Sequence, residues 1–411
     1  MADSILTPGA LLDKLLSGEE MDFVREALTS MARELMELEV ERKTGAGRGV
    51  KSPGRLCHRN GYRERRWDTR AGSVLLPIPK LREGSYFPSF LEPRRRSEEA
   101  LIAVVCEAYV HGVSTRKVED LVQALGIQGI SKSEVSRICS DLDMKVEAFR
   151  GRPLLGRYPY LWLDARYEKV RDQSGRVISM ALAVAYGVSE TGEREVLGLE
   201  VCESEDHAFW KGFLEDLRER GLSGVKLVCS DAHRGLTRAI SEVFLGASWQ
   251  RCRVHFLRNL LALVPKDAQG MVLAATRLIF QQPGKEEAVT ELRALADRLE
   301  DRLPRAAALM AEAEEEILAH MDFPHEHWRQ LSSTNPLERL NKEIARRTRV
   351  VGIFPTRASL IRLAGSLLAE QSDEWAVSRR YMSHGSLVSL YAAEAEELGT
   401  IITHPVLVPV H

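Results

Sequence analysis

Two aspartates stand where strands should be. Asp164 interrupts the apolar run YLWLDARYE, and Asp231 closes VKLVCSD at a strand-to-helix turn. Half-buried carboxylates need a partner. On neighbouring strands of one sheet the two would repel unless a divalent cation lay between them, and hard cations such as Mg²⁺ take oxygen ligands of this kind. A third carboxylate from a helix crossing the sheet edge would complete a two-metal site, with ions about 4 Å apart, for in-line attack at phosphorus. Plainer uses stay open at this point: Asp231 as the N-cap of the helix at His233, and Asp164 as a salt-bridge partner of Arg166.

A source for the third carboxylate lies in SSTNPLERLNKEIARRTRVVGIFP, Ser332 to Pro355. Asn335 reads as an N-cap, Pro336 as the first helical residue and Glu338 as N3. On a 3.6-residue wheel Leu337, Leu340, Asn341, Ile344 and Thr348 share one face, with Arg339, Lys342, Arg346 and Arg349 on or beside the opposite one. Glu338 and Glu343 both flank the apolar face, so the wheel does not choose between them. A capping-box bond from Glu338 back to Asn335 is the alternative use.

The elements that must position these residues emerge from composition and order. At 411 residues the chain has room for two or three domains. No run of about 18 apolar residues occurs, and the N-terminus lacks the order of a signal peptide, so the expectation is a cytoplasmic protein with no membrane partner. Six cysteines without C-x-x-C pairing fit a reducing compartment. The net charge of −2 hides asymmetry: residues 1–40 hold nine acids and three bases, whereas residues 42–96 hold fifteen bases and four acids. A basic segment in a neutral chain points to a polyanion, most simply nucleic acid, with a solvated basic loop as the competing reading.

Residues 20–41 place Val24, Leu28, Met31, Leu35 and Leu38 on a narrow helical stripe suited to self-pairing or to packing on its own domain. Next, Tyr62, Trp67, Tyr86 and Phe87 interleave with Arg, which suits base stacking or a small hairpin core. Pro77 and Pro79 confine VLLPIP to an edge strand. From Ser97 to Phe149 three helical segments, the last opening at Ser131, resemble a helix-turn-helix. After RPLLGRYPY the order becomes three strands, helix, strand, helix, strand, which predicts a mixed α/β sheet with a meander first and parallel crossovers after. About seventy helical, acidic residues follow Val254 and read as an insertion, since the Glu338 helix comes later. Residues 383–411 lack periodicity and are expected to be a tail.

The segments LDARYEKVR, REVLGLEV, FWKGFLEDLRERGLSGVKLVCSDAHRGL, WQRCRVHFLRN and STNPLERLNKEIARRTRVVGIFP resemble the mutator-type transposases of bacterial insertion sequences, the insertion-sequence-256 type. Upstream, RNGYRERRWDTRAGSVLLPIPKLREGSYFPSFLEPRRR and GISKSEVSRI match too, so the likeness runs from about Leu56 to Met382. One departure is Leu245, where the family signature usually has Pro in the turn FLGASWQRC.

The resemblance implies a ribonuclease-H-like mixed-sheet catalytic domain with a helical insertion, preceded by a mainly helical DNA-binding region. It implies an Asp, Asp, Glu triad at Asp164, Asp231 and Glu338, the first two 67 positions apart and the last two 107. The domain reading is 1–41 for a helix able to dimerise, 42–96 basic and DNA-binding, 97–150 helix-turn-helix-like, 151–382 catalytic with an insertion at about 256–330, and 383–411 tail. The implied chemistry uses Mg²⁺, with Mn²⁺ able to substitute: Asp164 bridges two ions, water cleaves the transposon 3′ end, and the freed 3′-hydroxyl attacks a second phosphodiester. Cys252 and His255 form the family's C-x-x-H motif. His255 is assigned to the scissile phosphate or to orienting a carboxylate, and Cys252 to buried support. A zinc site from Cys229, His233, Cys252 and His255 fits no standard spacing. His325 and His327 read as surface residues.

Double-stranded DNA, at transposon ends and target, is the implied partner. Arg63, Arg65, Arg66, Lys132, Ser133 and Arg137 are the candidates for end binding, and Arg339, Lys342, Arg346, Arg347 and Arg349 for phosphates near the cut. Synapsis of two ends implies at least a dimer. The rival readings are a catalytically inactive relic that binds specific DNA and a stand-alone ribonuclease-H-like nuclease.

Overall fold

The chain divides into two units, residues 1–95 with 370–380 and residues 96–369 with 381–411. The structure is a computed structural model that describes residues 20–50, 52–69, 72–84, 86–88, 91, 95–110, 122, 131–378 and 380–391.

In the first unit, helix α1 (Glu20–Thr44) packs on an antiparallel hairpin, β1 (Arg59–Thr69) and β2 (Gly72–Leu81). Period-two alternation buries Val74, Leu76 and Ile78 and leaves Leu75 58% exposed. Onto that face α1 lays Ala32, Met36 and Val40, with Tyr86 and Leu91 closing the core. The expected stripe is therefore not the buried one: Met31, Leu35 and Leu38 are exposed, and the side chains of Val24 and Leu28 fall outside the described residues. Ala32, Met36 and Val40 of the first segment share one core with Val74, Leu76, Ile78 and Leu81 of the second. Trp67 and Phe87 pack against that core, and Tyr62 alone of the four interleaved aromatics is exposed. With only two strands both are edges, so Pro77 and Pro79 are tolerated opposite Glu64 and Tyr62.

The second unit opens with helices α2 (Arg95–Val110) and α3 (Lys132–Arg150). The middle segment of the expected helix-turn-helix, apart from Val122, lies outside the described residues. Ser131 does precede α3, its carbonyl accepting from Val135 N at 3.1 Å, while its hydroxyl pairs with Ser133 Oγ at 3.0 Å.

Strands β3 (Tyr160–Arg171), β4 (Val177–Val188) and β5 (Arg194–Cys202) form an antiparallel meander, and β6 (Leu227–Ser230) and β7 (Ser248–Arg251) add in parallel, giving the order β5-β4-β3-β6-β7. The expected mixed sheet is thus present. Helices α4 (His207–Glu219) and α5 (Arg234–Val243) supply the crossovers and cover one face, where Leu161, Leu163, Ala183, Ala185 and Val228 meet Trp210, Leu214, Leu236 and Ile240. On the other face Trp162 stacks on Tyr186 with ring centroids 4.7 Å apart. Such a pair adds about 1 kcal/mol beyond its buried area and stiffens the strand two residues before Asp164.

The insertion holds α6 (Arg253–Ala262), α7 (Gln269–Ile279), α8 (Lys285–Glu300), α9 (Pro304–Glu312), α10 (Glu314–Leu318) and α11 (Trp328–Leu331) around a core of its own. It joins β7 through Gln250, whose amide donates to Ile317 O at 3.1 Å and accepts from His320 N at 2.8 Å. Helices α12 (Asn335–Val351) and α13 (Arg357–Val377) follow. Arg362, 3% exposed, bonds Glu107 Oε2 of α2 at 2.6 Å and Asp143 of α3 at 2.7 and 2.8 Å. The start of the expected tail is ordered: residues 384–391 are helical, Leu387 is buried, and Tyr391 OH donates to Gly224 O at 2.9 Å.

Candidate active site

Strands β3 and β6 pair in parallel register, ending with Trp162 opposite Cys229. Asp164 and Asp231 each stand two residues further on, past the paired register, and near enough for the Asp231 charge to act on the Asp164 carboxyl. Past Trp162, β3 no longer has β6 beside it, and α12 lies along it. Asn341 Nδ2 donates to Asp164 Oδ2 at 2.6 Å, Arg166 Nη1 donates to Asn341 O at 2.6 Å, and Thr348 Oγ1 donates to Glu168 Oε1 at 3.0 Å. Arg166 pairs with Glu168, at 2.6 Å, and not with Asp164.

Helix α12 begins one residue earlier than its sequence suggests. Thr334 is the N-cap, its carbonyl accepting from Leu337 N at 2.8 Å and Glu338 N at 3.1 Å, which makes Pro336 N2 and Glu338 N4. Thr334 turns its side chain elsewhere: Oγ1 lies 3.2 Å from Cys252 Sγ, and its N–H donates to the same sulfur at 3.3 Å. Cys252 is fully buried and its own N–H donates to Ser230 O at 2.7 Å. Cys252 thereby ties the end of β6, through its N–H, to the start of the Glu338 helix, through its sulfur, at the start of α6. Burial by itself pushes the thiol up, but the His255 ring and the Thr334 donors together outweigh it and hold the thiol below its ordinary value.

Burial is the largest cause that pushes Asp164 up to about 6. His255 opposes the rise, whereas the charges of Asp231 and Glu205 add to it. His255 is held above the ordinary histidine value, first by its contact with Cys252, against burial, and then by the charges of Cys252, Asp164 and Asp231. Its Nδ1 is buried without a hydrogen-bond partner among the described residues, as is His233 Nδ1. Asp231 Oδ1 accepts from His233 N at 3.2 Å, and His233, not Asp231, is the N-cap of α5.

Glu205 is absent from the sequence expectations. It lies in the loop before α4, bonds Tyr167, and its carboxyl is pushed up mainly by burial. The start of α4 packs tightly on the first turn of α5: a Cβ on Gly235 would meet His207 N at 2.8 Å. The local string ESEDH carries no signal for such a role, and neither do Thr334 or Asn341.

The donor chemistry of the two aspartates suits a hard divalent cation. Glu338, on the adjoining helix, instead lies 3.8 Å from Lys342 Nζ with 38% of its side chain exposed. Among the described residues no three His, Cys, Asp or Glu side chains converge closely enough to hold a metal ion, which applies equally to Cys229, His233, Cys252 and His255. His327 is not a surface residue: it is 2% exposed, between Tyr160 OH at 2.8 Å and Ser386 Oγ at 2.7 Å, while His325 is exposed.

The family described as Transposase, Mutator family, matches residues 9–378. The chain belongs to the Mutator family of transposases. It is 47% identical over 385 residues to the transposase for insertion sequence element IS1081 of Mycobacterium tuberculosis, covering 93% of this chain and 92% of that one. It is 37% identical over 366 residues to the transposase for IS256 in transposon Tn4001 of Staphylococcus aureus, covering 87% and 92%. A Drosophila P element transposase strand transfer complex gives a TM-score of 0.27 at 14% identity over 75% of this chain and 87% of that one, too low to bear on the fold.

Not every cation assigned to DNA in this Mutator-family transposase is available for it. Arg339, Lys342, Arg346 and Arg349 are exposed along α12. Arg347 is 5% exposed and bonds Glu343 Oε2 at 3.0 Å, because position 347 turns toward the interior beside Thr348. Lys132, Ser133 and Arg137 are exposed at the start of α3. Arg63 is half-buried, Arg65 lies over the Phe87 ring and 3.6 Å from Asp373 Oδ2, and the side chain of Arg66 is outside the described residues. Among the described residues no helix is long and apolar enough to cross a membrane.

Proposed function

We propose that this transposase binds the terminal inverted repeats of an insertion sequence, cleaves the DNA there and joins the freed 3′ ends to target, using Asp164, Asp231 and Glu338. The observation that supports the reading is that the β3–β6 pairing ends two residues before Asp164 and Asp231, whose charges act on one another, with the Glu338 helix bonded to Asp164 through Asn341. We read the sheet as ribonuclease-H-like, supported by its meander-then-parallel order.

Asp164, Asp231 and Glu338 would hold Mg²⁺ or Mn²⁺, and the bound ions would supply Lewis acidity at the scissile phosphate and lower the pKa of the attacking hydroxyl. Glu338 must turn from Lys342 to join the aspartates. His255, whose proton affinity is raised first by its contact with Cys252, would ease the repulsion of Asp164 and Asp231 when protonated. Exposed Arg339, Lys342, Arg346 and Arg349 bind phosphates next to the cut, and the start of α3 contributes to end binding. In joining, the 3′-hydroxyl oxygen forms a new P–O bond as the target 3′ oxygen leaves, so no protein–DNA bond is required.

Synapsis needs at least two copies, and exposed Met31, Leu35 and Leu38 support α1 as the contact. The test is cation-dependent cleavage and strand transfer on a duplex bearing the element's terminal repeat. Asp164→Asn, Asp231→Asn and Glu338→Gln should each abolish both steps with DNA binding retained. Wild-type activity in all three would remove the triad. A wild-type chain that binds ends and never cleaves would instead indicate a relic.

A further inference from the structure

Asn341 is the one amide on a helical face otherwise lined by Leu337, Leu340, Ile344 and Thr348. Propensity and packing would favour an apolar residue there. Its side chain reaches the carboxylate at 2.6 Å, and the amide assignment follows from chemistry, since ionised Asp164 only accepts and must therefore face the NH₂ group. The backbone of the same residue is held as well, its carbonyl accepting from Arg166 Nη1 at 2.6 Å while Arg166 is locked onto Glu168. Seven residues on, Thr348 bonds that same Glu168 carboxylate at 3.0 Å. Two points of attachment thus fix both the position and the rotation of α12 against β3. Glu338 lies three residues before Asn341, about 4.5 Å along the axis and on a neighbouring part of the helix surface.

We propose that Asn341 is a positioning residue for the divalent-cation chemistry: its amide orients the Asp164 carboxylate, and by doing so from the helix that bears Glu338 it sets the spacing of the two. This rests on the triad reading above. The amide holds Oδ2, so the carboxylate would meet a cation already oriented. Outer-shell partners of this kind change metal affinity or activity by about 10–100-fold when removed.

The test uses the full-length chain and three measurements: Mn²⁺ binding followed by electron paramagnetic resonance without DNA, cleavage of a terminal-repeat duplex with separate kcat and KM, and urea unfolding. Asn341→Ala removes the donor, and Asn341→Leu removes it while filling the apolar face. Both should bind Mn²⁺ about 10–100-fold more weakly and lose kcat at limiting cation, with KM for DNA unchanged. Asn341→Leu should unfold at a urea concentration equal to or above wild type, which separates positioning from a structural role and keeps the test intact if Asn341→Ala is unstable. Mn²⁺ affinity and kcat within about twofold of wild type in folded Asn341→Leu would overturn the inference, set against the larger change expected on removing an outer-shell partner. Asp164→Asn, run alongside, distinguishes the two levels. If it abolishes Mn²⁺ binding and cleavage while Asn341→Leu does not, only the role of Asn341 falls; if it too behaves as wild type, the triad falls first.

Discussion

Asp164→Asn should stabilise the protein while destroying its chemistry, and the effect should depend on pH in a defined direction. Burial and the nearby charges of Asp231 and Glu205 raise the Asp164 carboxyl to about 6 from an ordinary 3.8. Because the folded value lies above the unfolded one, the folded state holds this proton more tightly, and stability falls as pH rises from about 3.8 to about 6. The gap converts to about 3 kcal/mol at 1.36 kcal/mol per pH unit. An asparagine keeps an oxygen for Asn341 Nδ2 but loses the attraction of His255, so we expect a net gain of about 1–2 kcal/mol. Urea unfolding in the presence of a chelator, followed by tryptophan fluorescence, should show Asp164→Asn more stable than wild type at pH 8 and indistinguishable below pH about 4. Added Mg²⁺ should stabilise wild type and leave the variant unmoved. A variant less stable than wild type at pH 8, or a difference that does not change with pH, would refute the claim that Asp164 is held ionised at the expense of the fold.

Cys252→Ala leaves the buried Thr334 N–H without its acceptor and should cost about 1–3 kcal/mol in urea unfolding; a change under about 0.5 kcal/mol would show that the sulfur does not anchor the Glu338 helix. Arg362→Met leaves Glu107 buried and unpaired and should cost about 3–5 kcal/mol, read in the same assay. Alanine at Arg339, Lys342, Arg346 or Arg349 should reduce the slope of log K for end binding against log[salt] by about 0.9 for each phosphate no longer neutralised. Arg347→Ala should leave that slope unchanged and lower stability instead, since its partner is Glu343.

Much of the second unit is legible in the sequence because its signals are local. Apolar, β-branched and aromatic runs bounded by turn signals mark β3 to β5, the crossovers announce parallel β6 and β7, and each aspartate is conspicuous as the polar residue in an apolar run. The insertion betrays itself by length and acidity. The apolar face of α12 follows the wheel at Leu337, Leu340 and Ile344, all buried. Locality also explains the errors. On α1 the spacing of Val24, Leu28, Met31, Leu35 and Leu38 defines a stripe, but the hairpin packs on Ala32, Met36 and Val40. Arg347 stands between Arg346 and Arg349 in the sequence, but on the wheel it lies beside Leu340, and in the structure it is buried.

What the sequence determined by itself is the inventory and its order: two aspartates on strands, a glutamate on a later helix, and a family match that selects Glu338 over Glu343. Tertiary structure decided who meets whom. Asn341 and Asp164 are 177 positions apart, Thr334 and Cys252 82, Arg362 and Glu107 255. Contacts at those separations leave no periodic trace, because nothing in the chain between them repeats. They arise when the register of β3 on β6 and the seating of α12 place polar groups in one desolvated space, where an unpartnered group is costly and each finds the neighbour that the fold supplies.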